Sequence, residues 1–146
     1  MAVVNDKKAA LKKLKLLAYN GKSEVEVFRQ KLDDAFKVTF LPNHVECSDY
    51  KYGDVQCDIL SPEIYSSNRV MLYIHGGSFV GGSKSAYRSF CATLANATSC
   101  RVVVPEFRLA PAFPYPNGIE DLQIVFRSVF TEEQIALSLD AGANKK

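Results

Sequence analysis

Four glycines lie within residues 74–83, whose sequence is IHGGSFVGGS. This run follows the apolar stretch VMLYI, which starts at Val70 and predicts a buried β-strand. Glycine has no Cβ, so backbone N–H groups in such a loop can turn outward and approach a ligand closely. Outward N–H groups hold either a phosphate or the negative oxygen that develops during acyl transfer. The loop is therefore the first candidate for chemistry in this chain.

The spacing of the glycines separates these two ligands. A phosphate-binding loop requires G-x-x-x-x-G followed at once by Lys and then Ser or Thr. Gly77 and Gly82 have the required spacing, but Ser83 comes next and Lys84 arrives one residue late. Because the lysine must reach the phosphates from a fixed place in the first helical turn, this slip turns it elsewhere. We therefore favour the oxyanion interpretation over nucleotide binding.

The segments around the loop predict an α/β fold. Apolar runs at 70–74 and 101–104 flank a helix-length segment at 84–98, and such a unit is typical of a parallel crossover. Continuous apolar runs indicate strands that are covered on both faces, which requires helices on both sides of the sheet. Ligands bind at the carboxyl ends of strands in such sheets, and the glycine loop begins at one of these ends.

Other elements are predicted on both sides of this unit. Before it we predict a Lys-rich amphipathic helix from Asn5 and a helix over 23–36. A strand with Val38, Phe40 and Val45 follows, and a turn at Tyr52 and Gly53 joins it in a hairpin to a strand over 55–59. After the unit come a Pro-rich loop and helical segments over 118–130 and 132–139. We interpret the lysine face of the first helix as a solvated surface on a helix packed against its own domain. The alternative for this face is contact with anionic lipid.

Composition and charge exclude several classes of protein. The 146 residues are 47% apolar with a net charge of +2, which fits one ordinary domain rather than a disordered or coiled-coil chain. Residues 1–37 hold nine Lys and Arg against five Asp and Glu, and the remainder holds nine against eleven. Because no basic cluster lies beyond residue 37, we expect no nucleic-acid partner.

The cysteines and the apolar segments bear on the cellular location. Four cysteines, at positions 47, 57, 91 and 100, form no C-x-x-C pair, so we interpret them as small buried hydrophobes. No signal-peptide stretch is seen, and no window has the 18 or so apolar residues that cross a bilayer. We therefore expect a cytoplasmic protein with reduced thiols, no membrane span and no metal site.

Four short motifs occur in a characteristic order. They are HGGS at 75–78, FRLAP at 107–111, PYP at 114–116 and ED at 120–121. Together they resemble the hormone-sensitive-lipase branch of the α/β-hydrolases, whose corresponding features are H-G-G-G, Y-R-L-A-P-E, a Pro-aromatic-Pro step and an E-D pair that opens a helix. The resemblance covers about residues 40–130.

The resemblance implies a fold and a division of the chain. We expect the N-terminal part of an α/β-hydrolase sheet, with about four strands and flanking helices, truncated before the nucleophile elbow. Residues 1–36 would be an N-terminal helical cap segment, and residues 37–146 a partial α/β-hydrolase domain. Cap helices cover the site in this family, so Phe28 and Phe36 are candidates either for lining an acyl pocket or for core packing.

The resemblance also implies a role for individual residues. The backbone N–H groups of Gly76 and Gly77 would form the oxyanion hole. His75 and Ser78 would contribute to substrate binding, His75 by shaping the loop rather than as the catalytic base. Arg108 and Asp121 would pair beneath the site as structural support; the alternative is two exposed charges. This sequence differs from the family motifs at three positions. It has Ser78 where the family has Gly, Phe107 where the family has Tyr, and Ala112 where the family has Glu.

The catalytic triad of the family cannot be assembled from this sequence. No serine lies in G-x-S-x-G, and the only histidines are His44 and His75. Residues 140–144, DAGAN, resemble the family's D-S-A-G run without its serine. We therefore expect a fragment of a carboxylic ester hydrolase that lacks the nucleophile, acid and base and is inactive alone.

The sequence leaves two alternatives to this function open, and it also predicts a substrate and a binding partner. The chain is alternatively a catalytically dead module that keeps the acyl-binding cleft, or a membrane-surface or scaffold protein that acts through its Lys-rich helix. A completed enzyme would act on small acyl esters and would need no cofactor. The strand that ends at Ile74 would lack its next neighbour, so we expect self-association or pairing with a complementary chain through the exposed sheet edge.

Overall fold

The computed structural model describes residues 2–36, 41–66 and 68–143. Within these ranges the chain forms a four-stranded mixed sheet with helices on both faces, which confirms the predicted α/β class. The elements in chain order are α1 (Ala2–Leu16), α2 (Val25–Phe36), β1 (Val45–Tyr52), β2 (Val55–Pro62), β3 (Val70–Leu72), α3 (Lys84–Thr98), β4 (Arg101–Pro105) and α4 (Asn117–Ala143).

The predicted hairpin is confirmed. Strands β1 and β2 pair antiparallel with Tyr52 opposite Val55, so the turn consists of Gly53 and Asp54. Gly53 has a φ of +59°, a conformation that two-residue hairpin turns require. The predicted start of β1 at Val38 and Phe40 lies outside the described residues.

The sheet has the strand order β1-β2-β4-β3. Strand β4 pairs antiparallel with β2 and parallel with β3, so the unit β3-α3-β4 is the crossover that the apolar runs predicted. Because β3 and β4 run in the same direction, their carboxyl ends meet at one end of the sheet. The glycine loop leaves the sheet at this end.

Strand β4 contributes to two apolar clusters, one on each face of the sheet. Val102 and Val104 lie in the cluster on the α3 face, whose other buried members are Leu60, Ala86, Tyr87, Cys91, Ala92 and Ala95. Val103 lies in the cluster on the α4 face, with Tyr52, Val55, Cys57, Val125 and Val129. The alanines of α3 allow this helix to approach the sheet closely. The sheet is therefore covered on both faces at β4.

Both ends of α3 are capped by serine. The Ser83 hydroxyl accepts a hydrogen bond from the Ala86 N–H at 3.1 Å, and Ser83 itself is extended, as an N-cap residue should be. Ser99 ends the helix in the left-handed conformation with a φ of +50°. These caps explain why the predicted range, 84–98, is the observed one, and they fix the glycine loop directly before the first helical turn.

Strand β3 differs from the prediction. We expected a strand through Ile74 that is covered on both faces, but β3 ends at Leu72, its residues are half-buried, and Ile74 is 49% exposed. β3 is less buried than predicted because it is an edge strand. Among the described residues no strand pairs with the side of β3 that faces away from β4.

Helix α4 also differs from the prediction, since it is one helix and not two. No proline or glycine interrupts the chain between Phe130 and Leu139, and the Thr131 hydroxyl donates back to the Arg127 carbonyl at 2.9 Å, as threonines inside helices do. The DAGA run at 140–143 forms the end of this helix and not a strand-to-helix elbow.

The two N-terminal helices pack differently. Every described side chain of α1, residues 6–15, is exposed, so the expectation that α1 packs against the domain is wrong for this part of the chain. Helix α2 does pack, through buried Phe28 and Leu32. Phe28 lies 5.0 Å from the Tyr19 ring and Phe36 stacks at 4.5 Å on Tyr87, so both rings are packed against neighbours, and a role in lining an acyl pocket stays a prediction. The division into a cap segment and a hydrolase domain stays a prediction.

All four cysteines are free. Cys57, Cys91 and Cys100 are buried and Cys47 is half-buried, which agrees with their expected role as small hydrophobes. Burial raises the pKa of the Cys57 and Cys91 thiols to about 12, so both remain protonated and unreactive.

None of the helices in the described ranges combines the length and the hydropathy needed to cross a bilayer.

Candidate functional site

The glycine loop, residues 73–83, connects the carboxyl end of β3 to the first turn of α3. Tyr73 still belongs to the sheet, because its N–H donates to the Val103 carbonyl at 2.8 Å. The chain then turns back at Gly77, whose carbonyl accepts hydrogen bonds of 3.0 Å from the N–H groups of both Val80 and Gly81. The loop therefore contains a turn that is closed by backbone hydrogen bonds.

Two glycines of this loop combine a positive φ with a lack of space for a Cβ. Gly77 has a φ of +132°, and a Cβ built on it would lie 2.0 Å from the Gly81 carbonyl oxygen. Gly82 has a φ of +92°, and its Cβ would lie 2.5 Å from Nδ1 of His75. A Cβ on Gly76 would meet only the Tyr87 hydroxyl, at an ordinary 3.6 Å. The backbone fold of the loop therefore depends on positions 77 and 82.

The two glycines assigned to the oxyanion hole are both accessible to solvent. Gly76 is exposed and Gly77 is half-buried. Within the part of the chain that the structure describes, neither N–H group donates to a protein acceptor. Backbone N–H groups that are free to donate are one requirement for the stabilisation of an oxyanion.

Ser78 and Phe79 form the tip of the turn in an unusual conformation. Their φ angles are +57° and +56°, in the left-handed region that glycine occupies freely. Residues with a Cβ adopt this region at a cost of about 1–2 kcal/mol each. A glycine, which the resemblance places at position 78, would adopt this conformation freely. The Ser78 side chain is exposed beside the two N–H donors.

His75 lies beneath the loop rather than on its surface. Its ring is only 5% exposed and is stacked between Phe107 at 4.4 Å and Tyr87 at 5.5 Å. Nδ1 lies 3.0 Å from the Gly76 carbonyl oxygen, and burial lowers the pKa of the imidazole. A neutral ring that donates from Nδ1 to this carbonyl orients the peptide between Gly76 and Gly77. The geometry suits a loop-shaping residue, and a direct contact of His75 with substrate stays a prediction.

Arg108 and Asp121 form a bidentate ion pair next to the loop. The Arg108 Nε and NH2 atoms lie 2.8–3.1 Å from the Asp121 carboxylate, which also accepts the Arg108 backbone N–H at 2.9 Å. Asp121 is 5% exposed. Burial alone would raise its pKa, but the hydrogen bonds from Arg108 outweigh burial and lower it. The pair ties the FRLAP segment to the N-terminal part of α4.

The second histidine lies at the other end of the sheet. His44 precedes β1, and its Nδ1 is 2.7 Å from the Glu63 carboxylate, just beyond the end of β2. Because Leu60 of β2 pairs with Val102 near the start of β4, this end is opposite the glycine loop. The structure therefore does not bring His44 to the candidate site.

Sequence reasoning missed an acidic residue and a cavity near the loop. The Glu106 carboxylate follows β4 and accepts the Lys84 N–H of α3 at 3.0 Å, and burial raises its pKa. A mainly apolar cavity of about 260 Å³ lies beside the tip of the loop. Its lining residues are Phe79, Arg108, Ala110, Phe113, Tyr115, Pro116, Gly118 and Ile119. In the sequence, the Pro-aromatic-Pro step was the feature that could have predicted this cavity.

Among the described residues no three His, Cys, Asp or Glu side chains are grouped to hold a metal ion.

Comparison with known protein families gives one match. Residues 71–144, half of the chain, match a family described as having the alpha/beta hydrolase fold. The matched region begins in β3 and includes the glycine loop, α3, β4 and α4.

Two curated relatives each match more than half of this chain. An acetyl esterase of Salmonella schwarzengrund is 33% identical over 89 residues, which are 61% of this chain and 27% of that protein. An esterase of Acinetobacter venetianus is 32% identical over 84 residues, 54% of this chain and 28% of that protein. The matches therefore span little more than a quarter of these relatives.

Solved structures share the fold over a larger part of the chain. A hormone-sensitive lipase from a metagenome library has a TM-score of 0.73 at 21% identity and is matched over 88% of this chain and 43% of its own. An esterase from the bacterial hormone-sensitive lipase family has a TM-score of 0.70 at 22% identity, over 83% and 42%. The resemblance that the four motifs indicated is confirmed.

Proposed function

Because this chain belongs to the α/β-hydrolase fold family, we propose that it is the part of a carboxylic ester hydrolase that carries the oxyanion loop. The observation that carries the proposal is the pair of unused N–H donors on Gly76 and Gly77 at the carboxyl end of β3. The family match supports it, since residues 71–144 include this loop, and the curated relatives are named as esterases.

The proposed reaction divides the catalytic groups between this chain and further sequence. A serine attacks the acyl carbonyl, a histidine held by a carboxylate transfers the proton to the leaving alcohol, and water releases the acyl-enzyme. Gly76 and Gly77 donate to the carbonyl oxygen as it becomes negative, each donor contributing about 3–4 kcal/mol to transition-state stabilisation. The 146 residues contain no G-x-S-x-G, so we propose that nucleophile, acid and base lie outside them and that the chain is inactive alone.

The proposed substrates are esters of small acyl groups. The relative from Salmonella schwarzengrund is an acetyl esterase, and the cavity beside Phe79 is small and mainly apolar. Ser78 would line the acyl site next to the two donors, and its side chain would restrict the space there in comparison with a glycine. His75 would act through the loop conformation. The reaction needs only side chains and backbone donors, so no cofactor is part of the proposal.

We also propose that the free edge of β3 takes another strand of the same hydrolase. The Tyr73 N–H points toward β4, and since successive residues of a strand alternate, the N–H and C=O groups of Leu72 and Val70 point away from it. An apolar groove of about 270 Å³ runs beside this edge, with Phe126 and Phe130 of α4, each 59% exposed, on its far wall. A strand with apolar side chains would satisfy the backbone groups and fill the groove.

The free thiols bear on where the protein acts. All four cysteines are unpaired, which fits a reducing compartment, and we propose a cytoplasmic location.

The coding DNA beyond codon 146 tests the proposed function. We expect one reading frame to encode a β-strand followed by G-x-S-x-G and, further on, an acidic residue and a histidine. If no frame contains these, the proposal is overturned in favour of a catalytically inactive binding module. Stabilisation by an ester analogue without turnover would then be the expected behaviour.

A further inference from the structure

One arginine of α2 contacts both segments that border the candidate site. The Arg29 Nε donates to the Val80 carbonyl in the glycine loop at 2.8 Å. Its NH2 donates to the Ala110 carbonyl in the FRLAP segment at 3.1 Å. The third nitrogen, NH1, pairs with the Glu26 carboxylate one turn earlier on the same helix at 2.9 Å. All three nitrogens of this guanidinium are therefore engaged.

The apolar residues on either side of Arg29 press against the same loop. A Cβ on Gly81 would lie 2.8 Å from the Phe28 ring, and a Cβ on Gly77 would lie 3.1 Å from a Leu32 methyl group. Both side chains are buried. Since Phe28 and Leu32 are four residues apart, they lie on one face of α2, and this face covers the glycine loop.

The two segments are also joined directly. The Ala110 N–H donates to the Phe79 carbonyl at 2.8 Å, next to the Val80 carbonyl that Arg29 holds. The contacts close a ring that runs from Arg29 through Val80 and Phe79 to Ala110 and back to Arg29. Such a ring fixes the position of the loop tip relative to the FRLAP segment and to α2.

The loop tip requires such external support. Ser78 and Phe79 are both held at positive φ, which persists in a residue with a Cβ only where the surrounding structure imposes it. The guanidinium supplies that constraint one residue later, at Val80. Two carbonyls in different segments can be held at once because the planar guanidinium carries its donors in a fixed fork, whereas a lysine ammonium is a compact point charge.

We infer that Arg29 is a positioning residue of the oxyanion loop: it fixes the conformation in which the Gly76 and Gly77 N–H groups are presented for the reaction. This role rests on the proposed function. Helix α2 is then part of the machinery of the site, although it supplies no group that contacts the reacting atoms.

Amide hydrogen exchange on the full chain tests the loop-ordering step. We compare the wild type with Arg29→Gln and Arg29→Lys, and use Lys31→Gln, an exposed position on the same helix, as the matched control. Exchange of the Val80 and Gly81 amides, which are hydrogen bonded within the loop, should rise at least about tenfold in both Arg29 variants, with α3 and β4 unchanged and the control like the wild type. Unchanged exchange in the loop, or an equal rise in all segments, would overturn the inference. If Arg29→Gln does not fold, Arg29→Lys alone decides.

A kinetic experiment separates this inference from the proposed function. In an enzyme completed with the missing catalytic groups, Arg29→Lys should lower kcat about tenfold at unchanged KM, because oxyanion stabilisation acts in the transition state. An Arg29→Lys effect on KM alone would contradict the positioning role. Absence of hydrolysis by the completed wild type would instead contradict the proposed function, and the exchange result would stand independently of it.

Discussion

Two adjacent glycines, both assigned to the oxyanion hole, make different steric demands on the glycine loop. Gly77 is at a φ of +132° and faces the Gly81 carbonyl oxygen, so the turn cannot close around a Cβ. Gly76 faces open space, apart from an ordinary contact with the Tyr87 hydroxyl. The loop conformation is therefore specified at position 77, and a side chain at position 76 would alter only the surroundings of the donors.

This difference predicts unequal effects of the same substitution. Gly77→Ala should lower the free energy of unfolding by more than about 1 kcal/mol, because alanine is strained at this φ and collides with backbone. Gly76→Ala should change it by less than about 0.5 kcal/mol. Urea unfolding of both variants measures the difference. Equal losses would show that the closed turn is not the native conformation of the loop.

The Arg108–Asp121 pair predicts a dependence of stability on pH. Asp121→Asn should cost about 1–2 kcal/mol at neutral pH, because the buried carboxylate accepts the Arg108 backbone N–H as well as its side chain. The pKa of Asp121 in the folded state lies below its ordinary value of 3.8. Its contribution is thus present above that value and is lost as the pH falls through the folded pKa.

Urea unfolding at neutral and at acidic pH checks this dependence. The stability gap between the wild type and Asp121→Asn should narrow in acid. The matched control is Asp54→Asn, because Asp54 is fully exposed and pairs with Lys51 at 3.4 Å; this variant should resemble the wild type at both pH values. A gap that is the same at both pH values would contradict the ionised pair.

Single residues could be predicted as site residues only where a local sequence pattern identified them. The glycines were predicted from their type and spacing, and Arg108 and Asp121 from the family motifs. Arg29 has no such signal, because its two partners at the site, Val80 and Ala110, lie 51 and 81 residues away in the chain. Only the tertiary packing of α2 brings it to the loop.

At the scale of elements, α3 shows why local signals sometimes suffice. Its serine caps and flanking apolar runs define both ends, and the predicted range is the observed one. Helix α4 carries no internal stop signal, and the predicted division after Phe130 was wrong for that reason. The burial of β3 could not be predicted from its apolar run, because the run does not say which strands lie beside it.

Helix α3 is also attached to the sheet by charge. Asp58 of β2 is fully buried, and its carboxylate contacts the Lys84 ammonium at 2.5 Å and Arg88 Nε at 2.6 Å. Lys84 also contacts the exposed Asp49 of β1 at 2.6 Å. Since Lys84 is the first residue of α3, these contacts hold the helix start, and with it the end of the glycine loop, against the sheet.

Removal of the buried carboxylate should therefore loosen α3. We expect Asp58→Asn to lower the free energy of unfolding by at least about 2 kcal/mol, because it leaves two cations without their buried partner. Asp49→Asn is the matched control, with a much smaller expected loss because Asp49 is solvated. Urea denaturation of both variants gives the comparison. Similar losses for the two would mean that the buried contact does not hold the helix.

At the scale of the whole molecule, β1 and β3 are the two edges of the sheet formed by the described residues. Strand β3 is the edge next to the candidate site, and the apolar groove beside it is open to solvent. An apolar edge with free backbone groups favours pairing with another chain. The structural relatives are matched over less than half of their own length, which supports the proposal that further strands belong at this edge.

The open edge predicts self-association of the isolated chain. Sedimentation velocity should show a mass that increases with concentration, because two copies can pair at β3 and cover their grooves. Phe126→Lys should reduce this association, since it places a charge on the groove wall, whereas Phe113→Lys, at an exposed phenylalanine in the FRLAP–PYP region, should not. A sharp monomer at every concentration, with a cooperative melt, would contradict the prediction.

The central claim, that this chain supplies the oxyanion loop of an ester hydrolase, is tested most directly by hydrolysis. The chain would be joined to the part of the Salmonella schwarzengrund acetyl esterase that follows the matched region, and release of nitrophenol from p-nitrophenyl acetate would be measured. We predict hydrolysis by the joined protein, none by the chain alone, and a loss of about 10²–10³ in kcat with Gly77→Ala. A folded joined protein that does not hydrolyse the ester, or one that Gly77→Ala leaves fully active, would contradict the claim.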